Sequence, residues 1–196
     1  MMNYPIMETP FILLPFEEMK KKQVEQYFQW YMTEKANRIR QLSEFINQET
    51  NKVLLDNSAE SLIDLWEWFE SHIEYQEKTE RELHDELSGK PLWIQEILKN
   101  NTKRLTLLTM ALAEDIAIYF SETMIKNHSE IRWGYRMRPK KLNGVNQPIL
   151  LGFHGDISVN PRRLVSVCIS KSTDEKNKYQ LYETYKKWEE SILIPN

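Results

Sequence analysis

Three carboxylates interrupt an otherwise apolar stretch at residues 105–126, and they are the side chains that could do acid–base chemistry. They are Glu114, Asp115 and Glu122. If the stretch is a helix, Asp115 and Glu122 lie two turns apart on one face. A carboxylate among apolar side chains is costly unless it is paired or reaches water. Asp115 and Glu122 are therefore candidate catalytic residues of a carboxylate-lined pocket, but we favour structural pairing, because ion-pair networks place acids in the same way.

The partners expected for these acids lie in the segment that follows. That segment alternates apolar and basic side chains, which is typical of a half-buried strand. Because only a short connection separates strand from helix, the strand should pack back across the helix. We predict that Asp115 or Glu122 pairs with Arg132, Arg136 or Tyr135.

A basic cluster in the C-terminal third is the second chemical signal. Its candidate binding residues are Arg132, Arg136, Arg138, Lys140, Arg162 and Arg163. The aromatic side chains between them alternate onto the opposite face, which suits a core better than base stacking. The sequence pI of about 5.9 also argues against a general nucleic-acid binder. We expect a protein partner, or docking against residues 1–128, which hold 22 acids and 14 bases.

Metal, nucleophile and phosphate-binding motifs are missing from the sequence. The four histidines show no ligand spacing, and Cys168, the single cysteine, has no activating His near it in sequence. No phosphate loop or nucleophile elbow is present. Residues 1–16 do not have the pattern of a signal peptide, and no run of about 18 apolar residues occurs. We therefore expect no metal or cofactor, no membrane association and a reducing, cytoplasmic location.

The pattern of apolar residues predicts an α+β fold: one predominantly helical domain over residues 1–196, with a small antiparallel sheet near the C-terminal third. Prolines at every fifth position make residues 1–15 an extended arm. Asn57, with Glu60 three residues on, is expected to cap a helix. Helices are predicted at residues 17–48 (as one helix or two), from Asn57 to a solvated tail at 74–86, and at 91–100, 105–126 and 175–192.

The expected sheet is a hairpin of residues 131–138 with residues 148–153. Residues 52–56 fit either a short strand or an extended link. The sequence does not decide whether residues 162–170 are helix or strand. Asn160 and Pro161 indicate the start of a helix, but the β-branched residues that follow suit a strand as well.

Several segments in order resemble an uncharacterised family of small cytoplasmic proteins from Bacillus-type bacteria, a domain of unknown function. They are residues 55–62, 65–68, 115–122, 133–135, 139–140 and 146–150. The resemblance covers roughly residues 50–190. The family often has Gly before the Glu of the central helix, where this chain has Ser121. The resemblance supports the predicted fold and implies no activity, so it assigns no catalytic residue.

Two functions of different classes follow from these signals. The leading hypothesis is a non-enzymatic interaction protein, of the immunity or regulatory kind, that binds a protein partner through its hairpin and charged face. The alternative is an enzyme that uses Asp115 and Glu122, with the arginines as a clamp for a small anionic substrate. An exposed apolar patch would favour the first hypothesis. A deep pocket holding carboxylates and arginines together would favour the second.

Overall fold

The computed structural model of the chain describes residues 4–139 and 144–192. This part of the chain forms seven α-helices: α1 (Lys21–Glu49), α2 (Ser61–Glu70), α3 (Glu80–Leu87), α4 (Leu92–Leu98), α5 (Leu107–Asn127), α6 (Pro161–Asp174) and α7 (Gln180–Glu189). Its strands pair as two antiparallel sheets: β1 (Tyr75–Glu77) with β2 (Lys103–Leu105), and β3 (Arg132–Gly134) with β4 (Ile149–Leu151). The predicted fold class is confirmed, and the β1–β2 sheet is an addition that the sequence pattern does not predict.

Helix α5 lies at the centre of the hydrophobic core, as its apolar sequence predicts. The side-chain oxygen of Thr106 caps its first turn by accepting a hydrogen bond from the Thr109 N–H at 3.3 Å. The helix packs most extensively against α6 and α1, and Ile116 and Phe120 are fully buried. Burying each such side chain contributes about 1.5–3 kcal/mol. Because neighbours surround the helix, it carries no polar face.

Helix α1 is one continuous helix of 29 residues, which decides between one helix and two. It begins later than predicted, because Glu17 and Glu18 belong to a separate 3-10 turn (Phe16–Glu18). The side chain of Gln23 accepts the backbone N–H of Lys20 at 2.9 Å where α1 starts. Its buried residues recur at helical spacing. They are Val24, Tyr27, Tyr31, Arg38, Leu42, Phe45 and Ile46.

The start of α2 corrects the predicted capping box. Asn57 has a φ of +62°, and its N–H donates to the Tyr119 hydroxyl at 2.8 Å instead of beginning a helix. The capping oxygen belongs to Ser58, which accepts the Ser61 N–H at 3.1 Å. Tyr119 is buried on α5, so a tertiary contact determines where α2 begins. Residues 52–56 contain no strand and form the extended link.

Residues 75–105 form a small lobe, and here the helical tail predicted at 74–86 is wrong for residues 74–79 and right for residues 80–86, which are helical and not buried. The lobe runs β1–α3–α4–β2, with Tyr75 opposite Leu105 and Glu77 opposite Lys103. A capping box between Thr79 and Glu82 starts α3 as a separate helix. No residue of the lobe is buried. The lobe is therefore joined to the core through its two strands and adds no buried side chain to it.

The predicted C-terminal hairpin is confirmed, with shorter strands than expected. Arg132 pairs with Leu151 and Gly134 with Ile149. Residues 162–170 are helical, because Asn160 caps α6 through a 3.3 Å hydrogen bond from the Arg163 N–H and Pro161 occupies the first turn. Helix α7 (Gln180–Glu189) is shorter than the helix predicted at residues 175–192.

Candidate functional site

Asp115 is a buried ion-pair partner and does not face a pocket. Its two carboxylate oxygens accept hydrogen bonds from Arg38, from Nε at 2.8 Å and from Nη2 at 2.6 Å. The Tyr4 hydroxyl donates to the same carboxylate. The side chains of Arg38 and Asp115 are 3 % and 0 % exposed. The Asp115 side chain therefore exposes no surface to a substrate, and its pairing with Arg38 supports the structural interpretation of this residue.

The environment of the pair shifts the protonation equilibrium of Asp115. Burial raises the pKa of this carboxyl to about 6, although hydrogen bonds from Arg38 and Tyr4 act in the opposite direction. Arg38 also donates from Nη2 to the carbonyl oxygen of Pro5 at 2.7 Å. The pair thus joins α1, α5 and the N-terminal arm, of which residues 4–15 are described and contain no helix or strand.

Glu122 is paired as well, but again with helix α1. Its carboxylate accepts hydrogen bonds from Lys35 Nζ at 2.7 and 2.6 Å and from the indole Nε1 of Trp133 at 2.6 Å. The prediction that Arg132, Arg136 or Tyr135 would pair with Asp115 or Glu122 is wrong. Strand β3 does pack on the central helix, but it contributes Trp133, while α1 supplies both cations. The spacing of residues within one segment cannot show which distant helix supplies the positive charge that pairs with a carboxylate.

The predicted basic residues are distributed over separate places. Arg136 binds Asp156 through Nη1 at 2.8 Å and Nη2 at 2.6 Å. The bond with Arg136 lowers the pKa of the Asp156 carboxyl. Arg132 lines the same shallow cleft as this pair, whereas Arg138 is exposed outside it. Arg162 and Arg163 lie in two other clefts. Lys140 falls outside the described residues.

One cleft, here called the arm cleft, holds a carboxylate and a guanidinium together. It has a volume of about 540 Å³ and lies between the N-terminal arm, α1, α5 and α6. Its apolar wall includes four large, exposed side chains: Ile6, Leu13, Leu107 and Met110. Glu114 and Arg162 form an ion pair at 2.7 Å in this cleft.

Glu114 and Arg162 are bound to each other and to two tyrosines of α1. Glu114 Oε1 accepts from Arg162 Nε at 2.8 Å and from the Tyr31 hydroxyl at 3.1 Å. Arg162 Nη2 donates to the Tyr27 hydroxyl at 2.7 Å. Burial opposes the charge of Arg162, but Glu114 and the tyrosines outweigh it and raise the pKa of the guanidinium. The sequence offered Glu114 only as a neighbour of Asp115, and no local signal identified its partner.

The lobe carries the most exposed apolar helix face among the described residues. Leu92, Trp93 and Ile97 on α4 are 77 %, 65 % and 63 % exposed. At 100° per residue the three project within an arc of about 140°. Glu96 projects between Leu92 and Trp93 and is also exposed. Trp93 differs in this from Trp66 and Trp68, which are buried.

Over residues 4–139 and 144–192, no three His, Cys, Asp or Glu side chains come together in an arrangement that would hold a metal ion. Within the same residues, no helix has the length and apolar character needed to cross a bilayer.

Comparison of the chain with protein-family models, with curated proteins and with solved structures gives no match. The resemblance to a Bacillus-type family therefore stays a prediction.

Proposed function

We propose that this protein is a non-enzymatic interaction protein, of the immunity or regulatory kind, that binds a protein partner through helix α4 of the lobe. The exposed apolar face of Leu92, Trp93 and Ile97 carries this proposal. Soluble proteins rarely expose such residues together outside a binding surface. Trp is also among the residues that contribute most to the affinity of protein interfaces.

The chemistry of α4 specifies the kind of partner surface. A short helix with one apolar face docks by laying that face into a hydrophobic groove. Glu96 lies within the face and makes no ion pair with the described residues. Burying an unpaired carboxylate would be costly. The partner groove is therefore apolar with a basic side chain that meets Glu96.

The alternative, an enzyme acting on a small anionic substrate, has less support. Asp115 and Glu122 are engaged by Arg38 and Lys35. In the arm cleft, Arg162 already binds Glu114, so an anionic substrate would have to displace an internal carboxylate. None of Asp115, Glu122 and Glu114 is therefore free to act as a base, and Arg162 is not free to bind a substrate anion. We further propose that the protein acts in the cytoplasm, where its single Cys168 would remain reduced.

Quantitative affinity capture tests the interaction with three forms of the purified chain: wild type, the triple variant Leu92→Ala/Trp93→Ala/Ile97→Ala, and a control. The control, Ile12→Ala/Leu54→Ala/Ile157→Ala, removes three exposed apolar residues elsewhere. A partner retained by the wild type and the control but lost from the α4 variant supports the proposal. Glu96→Lys should weaken the same interaction. Equal retention of all partners by the α4 variant would refute the assignment to this helix.

A further inference from the structure

A second cleft, here called the basic cleft, lies between β4, α6 and α7, with a volume of about 380 Å³. Its floor is apolar, and most of the floor residues are buried: Ile149, Val159, Leu164 and Cys168. Val167, which is exposed, and Trp188, which is half-buried, complete the apolar lining. This volume falls in the range of small-molecule sites, about 300–1,000 Å³.

The opening of the basic cleft is surrounded by positive charge. Arg163 and Lys171 lie on α6 at either side of Val167, spaced four residues apart, so the three side chains follow one stripe of the helix. Lys187 approaches from α7. No acidic side chain lines the cleft. None of the three cations forms an ion pair within the part of the chain that the structure describes.

We propose that the basic cleft binds a small amphiphilic anion, whose carboxylate or phosphate head contacts Arg163, Lys171 and Lys187 while its apolar body covers the floor. The inference is independent of the α4 interaction. Charge-assisted hydrogen bonds from several cations would orient the head group. Burial of the body against Val159 and Leu164 would supply the rest of the affinity.

The cleft is a binding site and not a reaction centre. Cys168 is the one thiol that lines the cleft, and burial raises the pKa of this thiol, which keeps it neutral. Its sulfur lies 3.5 Å from the Thr184 hydroxyl, and no histidine lines the cleft to activate it. The thiol therefore acts as a small apolar part of the floor.

Isothermal titration calorimetry with decanoate, kept below its micelle concentration, tests the proposal on the full chain. We expect saturable binding of one decanoate per chain. Acetate and decanol should bind at least about tenfold more weakly, because acetate lacks the apolar body and decanol lacks the anionic head. Arg163→Ala/Lys171→Ala/Lys187→Ala should weaken decanoate binding at least about tenfold. The control, Lys22→Ala/Lys52→Ala/Lys99→Ala, removes three exposed lysines elsewhere and should bind like wild type.

A second variant keeps the test independent of charge. Val167 is partly exposed, so Val167→Trp should fill the cleft without disturbing the core and should abolish decanoate binding. Equal affinity in the two triple variants, or equal affinity for decanoate and acetate, would overturn the proposal. Binding to vesicles of phosphatidylglycerol without any binding of free decanoate would also overturn it, since the ligand would then be a membrane surface.

Discussion

Arg38 and Asp115, 77 residues apart in the chain, form a two-pronged ion pair between α1 and α5, with N–O distances of 2.8 and 2.6 Å. The planar guanidinium matches both carboxylate oxygens, which makes the geometry specific as well as strong. Tyr4 and Pro5 of the N-terminal arm bind the same two side chains. This contact fixes how the arm and the two longest helices fit together.

Loss of one partner of this pair should be strongly destabilising. Asp115→Ala leaves the buried Arg38 uncompensated, and we expect the free energy of unfolding to fall by about 3–5 kcal/mol. The control is Glu44→Ala, which breaks an exposed pair with Arg40 and should cost less than about 1 kcal/mol. Urea unfolding measures both. The double variant Arg38→Met/Asp115→Ala should lose less unfolding free energy than the sum of the losses in Arg38→Met and Asp115→Ala. If the two losses simply add, the two side chains are not coupled as a pair.

The raised pKa of Asp115 predicts a pH dependence of stability. In the folded protein this pKa is about 6, against 3.8 for an ordinary Asp, because the group is buried. Folding therefore favours the protonated form of Asp115. The resulting contribution to the free energy of unfolding is fully present below the unfolded-state pKa of 3.8, and it is lost as the pH rises through 6. We expect the stability of wild type relative to Asp115→Asn to fall by about 2–3 kcal/mol from pH 4 to pH 7. A difference that stays constant with pH would contradict the shift.

The turn after β4 depends on a glycine. Gly152 has a φ of +113°, and a Cβ at this position would overlap the carbonyl oxygen of Glu130. Gly152→Ala should therefore lower the free energy of unfolding by about 2–4 kcal/mol. Gly155 is the matched control, because its φ of +66° is also left-handed but a Cβ there would meet only Cγ1 of Ile157, at an ordinary van der Waals distance of 3.9 Å. Gly155→Ala should cost only about 1 kcal/mol. Equal losses in thermal unfolding would disprove the steric argument.

The lobe should be removable without unfolding the rest of the protein. The Lys78 N–H donates to the Thr102 carbonyl at 2.7 Å, so replacing residues 79–101 by Asn-Gly should close β1 and β2 with a two-residue turn. Because the removed residues are not buried, we expect the melting temperature to change by only a few degrees, about that of a 1 kcal/mol change. Circular dichroism during heating checks this. Loss of cooperative unfolding would show that the lobe belongs to the core.

A control for this deletion keeps the lobe and disturbs its attachment. Thr109 Oγ1 donates to the His72 carbonyl at 2.8 Å and accepts the Glu74 N–H at 3.0 Å. Thr109→Val removes both bonds in a buried place and should cost about 1–3 kcal/mol. The attachment variant should therefore be less stable than the deletion variant.

Local chemistry in the sequence was sufficient for several elements. Asn160 followed by Pro161 marks the start of α6 because a cap and a first-turn proline act within a few residues of each other. The apolar composition around Ile116 predicts a buried helix, and the alternation around Trp133 predicts a strand. Each of these signals depends on neighbours in sequence, which is why it can be interpreted without the fold.

Contacts between distant segments required the tertiary structure. The tail at residues 74–86 has the charge pattern of a solvated helix, but β1 forms because a strand 28 residues later pairs with it. Asp115 and Glu122 are paired as the sequence predicts, yet Arg38 and Lys35 provide the charges in place of β3. The need to neutralise a buried carboxylate follows from its apolar surroundings in the sequence. The identity of its partner depends on how α1 crosses α5, which the packing of the whole core determines.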